Sequence, residues 1–176
     1  MRTVSALLLA FGLVLQGAAP VPRPAGDFKA VDAAGQPISF ASFKGKVVVV
    51  QFLFTWCQHC QETARTLSKL QTELGPKGLQ VIGVAFNDEV NTKSIAGNHA
   101  ELAKFKAHAN FPLGLASREA VVKYLGLSVM ERFGVPQLIV IDRKGTIQAQ
   151  TEPLPTGALL AEPNLRAKLT KYLAEK

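Results

Sequence analysis

A run of four valines followed by a close pair of cysteines constrains the fold of this chain more than any other feature. Val47 to Val50 follow Gly45 and begin an apolar run that reaches Phe54. A mostly apolar run bounded by glycine, interrupted here only by Gln51, is typical of a strand buried on both faces. Small or apolar residues then recur at spacings of three and four, which predicts one face of a helix: Ala64, Leu67, Leu70 and Leu74. The cysteines, Cys57 and Cys60, therefore lie at a strand-to-helix turn, where the first thiol can face solvent.

The remaining elements predict a single α/β domain with a mixed sheet. In chain order they are a small hairpin over residues 27–43, strands over 47–54 and 79–86, a helix over 98–109, a short edge strand over 111–115, two helical pieces over 117–133 broken by Gly126, a hairpin over 137–150 and a last helix after Pro163. This order is βαβ, then a helix, then ββα. Such an order fits helices packed on both faces of one sheet.

The N-terminal residues have the layout of a secretory signal peptide. Arg2 precedes an uncharged apolar stretch over residues 4–15, and small residues follow at 17–19. The stretch is shorter than the roughly 20 residues that span a bilayer, so a retained anchor is the weaker interpretation. Pro20 obstructs cleavage directly before it, so the cut site stays open. We expect residues 1–19 to be a signal peptide and the protein to be periplasmic or otherwise exported.

We expect residues 20–26 to be a proline-rich linker and residues 27–176 to form the domain. The sequence Pro20-Val21-Pro22-Arg23-Pro24 predicts an extended lead-in outside the core. The formal net charge is +7, but the basic residues are spread along the chain, and no block of lysine and arginine is interleaved with aromatic residues. This distribution favours a solvated surface over a nucleic-acid site, so we expect no nucleic-acid partner. We also expect a monomer.

Spacing excludes most structural roles for the two cysteines. A disulfide between residues three apart closes a very small loop, and the stabilisation from a crosslink grows with loop length. A structural zinc site needs four ligands, whereas the two remaining histidines, His99 and His108, are distant in sequence. A Cys-x-x-Cys pair at the start of a helix instead indicates thiol-disulfide chemistry.

The position of each cysteine predicts its role. The unpaired N–H groups and the positive end of the helix dipole favour the thiolate of Cys57. Cys57 is therefore the expected nucleophile, and Cys60, one turn deeper, is the expected resolving thiol. No organic cofactor and no metal are needed, because the dithiol itself carries two electrons.

Two neighbours are candidate supporting residues. His59 can donate a hydrogen bond to the Cys57 thiolate, which stabilises the reduced form and makes the protein more oxidising. The alternative is that His59 is an exposed helix residue. Trp56 is expected to pack beside the cysteines and shield them, and a role as a core aromatic residue is compatible with this.

Several motifs together resemble the TlpA-like branch of the thioredoxin superfamily, which is related to redoxin and alkyl hydroperoxide reductase domains. They are Gly45-Lys46 before the valine strand, Phe54-Thr55-Trp56-Cys57-Gln58-His59-Cys60, Phe133-Gly134-Val135-Pro136-Gln137, and Asp142-Arg143-Lys144-Gly145. The resemblance implies a thioredoxin-like three-layer sandwich, in which a central mixed sheet carries an N-terminal hairpin extension and an insertion before the C-terminal hairpin. It also implies that Pro136 is cis and faces the cysteines, with the Val135 backbone pairing with a substrate strand.

The chain departs from this pattern at several positions. Gln51 stands where thioredoxins hold a buried acid, six residues before the first cysteine. Glu62 lies two residues after Cys60, whereas the related proteins often place a glutamate three residues after it, where this chain has Thr63. The proton acceptor for Cys60 is therefore unassigned, with Glu62 as a supporting candidate. Gln137 replaces the usual threonine after the proline, and Gln58 replaces a common proline.

The sequence thus predicts an exported thiol-disulfide oxidoreductase, and specifically a protein disulfide reductase. Its expected partners are a substrate protein with a disulfide or dithiol and a membrane-bound redox partner. A thiol peroxidase is one alternative, but Phe54 and Val50 occupy the positions where that chemistry needs a threonine and a proline. A copper-binding chaperone is another, since thiolates and imidazole suit Cu(I). Neither His99 nor His108 belongs to a motif that predicts such a site.

Overall fold

The structure is a computed structural model, and it describes residues 18–87, 95–128, 132–155 and 157–175. The strands in these ranges are β1 (Arg23–Pro24), β2 (Lys29–Val31), β3 (Pro37–Ser39), β4 (Val47–Leu53), β5 (Leu79–Ala85), β6 (Leu113–Leu115), β7 (Gln137–Ile141) and β8 (Thr146–Gln150). The α-helices are α1 (Gln58–Leu74), α2 (Ile95–Phe105), α3 (Arg118–Leu125) and α4 (Glu162–Ala174). Most of the predicted signal peptide, residues 1–17, lies outside the described ranges.

One mixed sheet organises the domain, in the order β1-β8-β7-β4-β5-β6-β2-β3. Strand β4 is central: it pairs in parallel with β5 and antiparallel with β7. Strands β7 and β8 form the predicted C-terminal hairpin, and β2 and β3 form the predicted N-terminal hairpin. The predicted insertion before the C-terminal hairpin contains α2, β6 and α3 among its described residues.

Helices cover both faces of the sheet, which confirms the three-layer sandwich. All seven residues of β4 are buried, because this strand has packed layers above and below it. Helix α1 contributes its predicted apolar face to one core, which also receives α2 and α4. Helix α3 packs on the opposite face together with aromatic residues from the N-terminal part, Phe28 and Phe40.

One sequence prediction on the far side of the sheet is wrong, and part of a second lies outside the described residues. Residues 111–115 were expected to form an edge strand, but β6 lies inside the sheet between β5 and β2. Its pairing with β2 rests on one residue pair, Val31 with Leu115, so the N-terminal hairpin extends the sheet beyond it. Helix α3 ends at Gly126 as expected, but Leu127, Ser128 and residues 132–135 are not helical. The rest of the second helical piece, residues 129–131, is outside the described part of the chain.

The proline-rich segment is attached to the domain, which corrects the prediction of a lead-in outside the core. Strand β1 pairs with β8, and Ala25 is only 7% exposed. The Arg23 guanidinium donates to the Gln150 side chain at 2.6 Å and to the backbone carbonyl of Tyr124 at 3.3 Å. These bonds attach the segment to α3 and to β8. No helix in the described ranges has the length and hydropathy needed to cross a membrane.

Candidate active site

The turn between β4 and α1 is held by side-chain bonds to the end of β5. The Thr55 amide donates to Asn87 Oδ1 at 3.0 Å, and Asn87 Nδ2 donates to the Thr55 hydroxyl at 3.0 Å. The Gln61 side chain donates to the Thr55 carbonyl at 3.0 Å from within α1. The turn is therefore fixed from both neighbouring elements. Sequence reasoning missed Asn87, because its partner lies 32 residues earlier in the chain.

Cys57 is the N-cap residue of α1, as the sequence predicted. Its sulfur accepts a hydrogen bond from the Cys60 amide at 3.3 Å, which satisfies one of the unpaired N–H groups of the first turn. The side chain is partly exposed, and both cysteines are free thiols. A partner sulfur can therefore approach Cys57 from solvent, at the end of α1 where the backbone N–H groups are unpaired.

Cys60 lies one turn deeper and is 0% exposed. Burial raises the pKa of the Cys60 thiol, and the adjacent Cys57 sulfur adds to the rise. The thiol is therefore protonated when the protein is reduced. Gln51, also 0% exposed, donates from Nε2 to the Cys60 carbonyl at 2.8 Å, while its Oε1 has no hydrogen-bond partner among the described residues. An amide cannot accept a transferred proton, so Gln51 does not replace the acid that stands at this position in thioredoxins.

The Val135–Pro136 loop lies across from the cysteines. The peptide bond between these residues is cis, as the resemblance implied. The Val135 carbonyl oxygen is 4.0 Å from Cys57 Sγ, which places this backbone next to the solvent-facing thiol. Together with α1 and the chain that follows β8, the loop lines a groove of about 380 Å³: its walls include His59, Glu62, Val135, Pro136, Pro155 and Leu160.

Trp56, the residue before Cys57, belongs to an aromatic stack. Its ring stacks on Phe54, with centroids 5.2 Å apart and planes 12° apart, and Phe54 in turn contacts Phe86 at 4.7 Å. Trp56 remains 41% exposed, so it is not a core residue. The exposed ring adjoins Cys57 in sequence and presents an apolar surface beside the site.

His59 and Glu62 contact each other on the solvent face of α1. The His59 side chain is 83% exposed, and its Nδ1 lies 3.5 Å from a Glu62 carboxylate oxygen. The Gln58 side chain donates to the other Glu62 oxygen at 3.0 Å. The predicted hydrogen bond from His59 to Cys57 is not among the contacts of the described residues. His59 therefore occupies the position of an exposed helix residue, which was the alternative interpretation.

The described ranges contain no group of three or more His, Cys, Asp or Glu side chains placed to hold a metal ion. The His108 side chain is hydrogen-bonded to Arg65 on the outer face of α1, where Arg65 Nη2 lies 3.0 Å from His108 Nδ1. The two free thiols are thus the reactive groups that the structure brings together with an accessible backbone edge.

Comparisons with known proteins support this description. Thiol-disulfide oxidoreductase ResA from Bacillus thuringiensis is 24% identical over 127 residues, 72% of this chain and 66% of that protein. Thioredoxin-like protein YneN from Bacillus subtilis is 27% identical over 126 residues, 72% of this chain and 68% of its own length. The chain thus spans slightly less than two thirds of the ResA protein.

Solved structures show the same fold. A putative thiol:disulfide interchange protein DsbE from Chlorobium tepidum superposes with a TM-score of 0.67 at 21% identity, covering 87% of this chain and 97% of that one. The thioredoxin-like fold and the resemblance drawn from the sequence motifs are therefore confirmed. A model of the AhpC/TSA family matches residues 21–150, which include the cysteine turn, the sheet and the Val135–Pro136 loop. By that match, this thioredoxin-fold chain belongs to the AhpC/TSA family.

Proposed function

We propose that the protein is an exported thiol-disulfide oxidoreductase that reduces disulfides in other proteins. The observation that carries this proposal is the pairing of a partly exposed thiol at a helix N-cap with a fully buried thiol one turn deeper. The names of the related proteins, which include thiol-disulfide oxidoreductase and thiol:disulfide interchange protein, support the same chemistry.

The proposed reaction has two exchange steps. The Cys57 thiolate attacks a substrate disulfide, forms a mixed disulfide and releases the first substrate thiolate. Cys60 then passes its proton to the released substrate thiolate or to water and attacks the Cys57 sulfur, which forms the Cys57–Cys60 disulfide and releases the second substrate thiolate. Two electrons pass from the protein to the substrate. A second redox protein, proposed to be membrane-bound, returns the electrons by the same steps in reverse.

The position of the His59 side chain supports a reductase rather than a strong oxidant. A strong oxidant needs groups that stabilise its reduced, thiolate form. His59 was the side chain expected to do so, but it lies against the Glu62 carboxylate at 3.5 Å and is 83% exposed. Its contribution at Cys57 is therefore small. Glu62 is held on the same exposed face by Gln58 and His59, so we give neither residue a part in proton transfer.

The substrate is proposed to bind as an extended strand along the Val135–Pro136 loop. The Val135 carbonyl is 4.0 Å from the attacking sulfur, and no backbone hydrogen bond joins the Val135 amide to another described residue. Main-chain pairing at this edge would bring a substrate cystine to Cys57 without requiring particular side chains. The exposed face of Trp56 would cover the other side of the bound strand.

Trapping experiments test the two cysteine roles. Cys60→Ser should accumulate a mixed disulfide with a protein substrate such as insulin, because the resolving thiol is missing. Cys57→Ser should not, although it retains one thiol. Trapping by Cys57→Ser alone would overturn the assignment. The reduction potential of the Cys57–Cys60 couple tests the direction of electron transfer. A value of about −270 mV or lower supports a reductase, and a value of about −120 mV supports an oxidant.

The peroxidase alternative has no support from the geometry beside Cys57. The side chains of Val50 and Phe54 carry no hydrogen-bonding group, so neither can orient a peroxide; Val50 is buried within β4, and Phe54 stacks on Trp56. The reaction of the reduced protein with hydrogen peroxide should be no faster than that of a free thiolate. A much larger second-order rate constant would favour the peroxidase.

A further inference from the structure

Gln137, the first residue of β7, makes four hydrogen bonds with its buried side chain. It directly follows Pro136 and is 0% exposed. Its Nε2 donates to the carbonyl of Gly134 at 2.8 Å and to the carbonyls of Glu152 and Pro153 at 3.1 and 3.0 Å. The side chain therefore connects the loop before β7 with the segment after β8.

The orientation of this amide is fixed by the chemistry of its partners. Three carbonyl oxygens can only accept, so the group facing them has to be the NH₂. The Oε1 atom accepts from the Thr151 hydroxyl at 2.5 Å, and that hydroxyl accepts from the Leu138 amide at 3.1 Å. Every proton of the Gln137 amide and of the Thr151 hydroxyl is thus used within one buried network.

Further contacts join the same two segments. The Gly134 amide donates to the Pro153 carbonyl at 2.8 Å. Gly134 also lies against Pro155, since a Cβ on the glycine would stand 3.1 Å from the Pro155 ring. The loop over residues 134–136 and the segment over residues 151–155 are therefore packed and bonded as one unit with Gln137 at its centre.

This unit carries the edge proposed to receive the substrate. Val135, two residues before Gln137, holds its carbonyl oxygen 4.0 Å from the Cys57 sulfur. Pro155, from the same unit, lines the groove together with Leu160 and residues of α1. Leu154, between the bonded carbonyl of Pro153 and Pro155, is 59% exposed. A polypeptide that paired with Val135 would therefore also contact the segment over residues 151–155.

We propose that Gln137 is a positioning residue that sets the substrate-binding edge by bonding the Val135–Pro136 loop to the segment over residues 151–155. It touches neither sulfur and takes no part in the exchange of electrons. The inference rests on the proposed function, because it assumes that a polypeptide binds along this edge. As a consequence, the reduction of protein disulfides should depend on Gln137, whereas the reduction of small disulfides should not.

Kinetics on two substrates test the proposal. Gln137→Met keeps the length of the side chain and removes its hydrogen bonds. We expect its KM for insulin disulfides to rise about tenfold, which corresponds to 1.4 kcal/mol, with kcat within twofold of the wild type. The rate with the small disulfide 5,5′-dithiobis(2-nitrobenzoate) and the reduction potential should stay unchanged, because neither needs the polypeptide-binding edge.

A pH profile gives a signature that loss of stability would not produce. In Gln137→Glu a carboxylate faces three carbonyl oxygens, whereas its protonated form can donate one hydrogen bond. The ratio of variant to wild-type KM for insulin should therefore fall as the pH is lowered from 8 to 5. The ratio for Gln137→Met should not change with pH.

Gln71→Met is the matched control. Gln71 also bridges two elements, because its Nε2 donates to the Leu79 carbonyl at 3.3 Å and its Oε1 accepts from the Val81 amide at 2.6 Å. It lies near the far end of α1, away from the cysteines. Its replacement should lower stability without changing KM. Thr151→Val, which removes only the hydroxyl partner, serves as a second variant if Gln137→Met does not fold, and should raise KM for insulin in the same way.

Two results would overturn the proposal. One is an unchanged insulin KM in a folded Gln137→Met or Thr151→Val protein. The other is an equal loss of rate with insulin and with the small disulfide, which would place the effect at the cysteines. If the wild type reacts with the small disulfide but not with insulin, the proposed function fails instead. Amide hydrogen exchange would then test the positioning role of Gln137 without insulin. The peptide that contains Val135 should exchange faster in Gln137→Met than in the wild type, and equal exchange would contradict the proposal.

Discussion

The reduced protein is expected to lose stability steeply in mild alkali because of one buried thiol. Cys60 is 0% exposed, and burial raises the pKa of this thiol, with the Cys57 sulfur adding to the rise. In the unfolded chain a cysteine thiol titrates near pH 8.5. Above that pH the unfolded chain releases a proton that the folded protein retains. The unfolded state then binds fewer protons, so the free energy of unfolding falls as the pH rises.

The size of this effect follows from linkage. One proton of difference between the two states gives a slope of about −1.4 kcal/mol per pH unit once the unfolded thiol is fully ionised. Between pH 9 and pH 10.5, with an unfolded value near 8.5, the loss from Cys60 alone is about 2 kcal/mol. Burial also raises the pKa of Tyr124 to about 12, which adds a smaller loss in the same direction over this range. That second loss does not depend on Cys60.

Urea unfolding in a phosphine reductant, followed by far-ultraviolet circular dichroism, measures the effect. The wild type should lose about 2 kcal/mol more between pH 9 and pH 10.5 than Cys60→Ala does. The Tyr124 contribution cancels in this difference. Cys57→Ala is the matched control, since it keeps the buried thiol and should retain most of the loss. An equal loss in the wild type and Cys60→Ala would refute the reasoning, because Cys60 would then titrate alike in both states.

Three further predictions concern the frame of the site. Leu67→Ala should lower the free energy of unfolding by about 2–5 kcal/mol, because Leu67 is 0% exposed between α1 and the sheet; a loss below about 1 kcal/mol in urea titrations would contradict the packing. Ser117→Ala should cost about 1 kcal/mol, since its hydroxyl accepts from the Ala120 amide at 3.1 Å at the start of α3; an unchanged urea midpoint would show that this cap contributes nothing. Gly126→Ala should destabilise by about 1–2 kcal/mol, because Gly126 has φ +64° and an added Cβ would collide with Ala19. In the last variant, residues 18–25 should also be cleaved faster by limited proteolysis, and an unaltered cleavage rate would argue against that contact.

Local patterns were sufficient for the elements next to the cysteines. The valine run, the cysteine pair and the spacing of three and four that follows predicted β4, the turn and α1 with Cys57 at the helix start. Each of these signals arises within about 30 residues, where hydrophobic periodicity and helix capping act directly on the backbone. The motif around Pro136 could be placed opposite the cysteines only through the family resemblance.

Predictions failed where distant segments compete for the same surface. An isolated reading of residues 111–115 could not reveal that β2 would cover the outer side of β6. The proline-rich segment lacks any helical or strand periodicity, yet β1 joins the sheet because β8 offers it an unpaired edge. His59 follows Cys57 by two residues, but the direction of its side chain on α1 takes it to Glu62.

The sequence by itself determined the chemistry of this protein, and the tertiary structure decided how that chemistry is presented. Two thiols at a helix start are a property of residues 57–60, because capping and the helix dipole act within one turn. The burial of Cys60, the approach of the Val135 carbonyl to Cys57 and the network around Gln137 depend on tertiary contacts. Val135 and Cys57 are 78 positions apart, and Gln137 and Thr151 are 14 positions apart. Such contacts depend on which strands become neighbours, and only the packed sheet settles that.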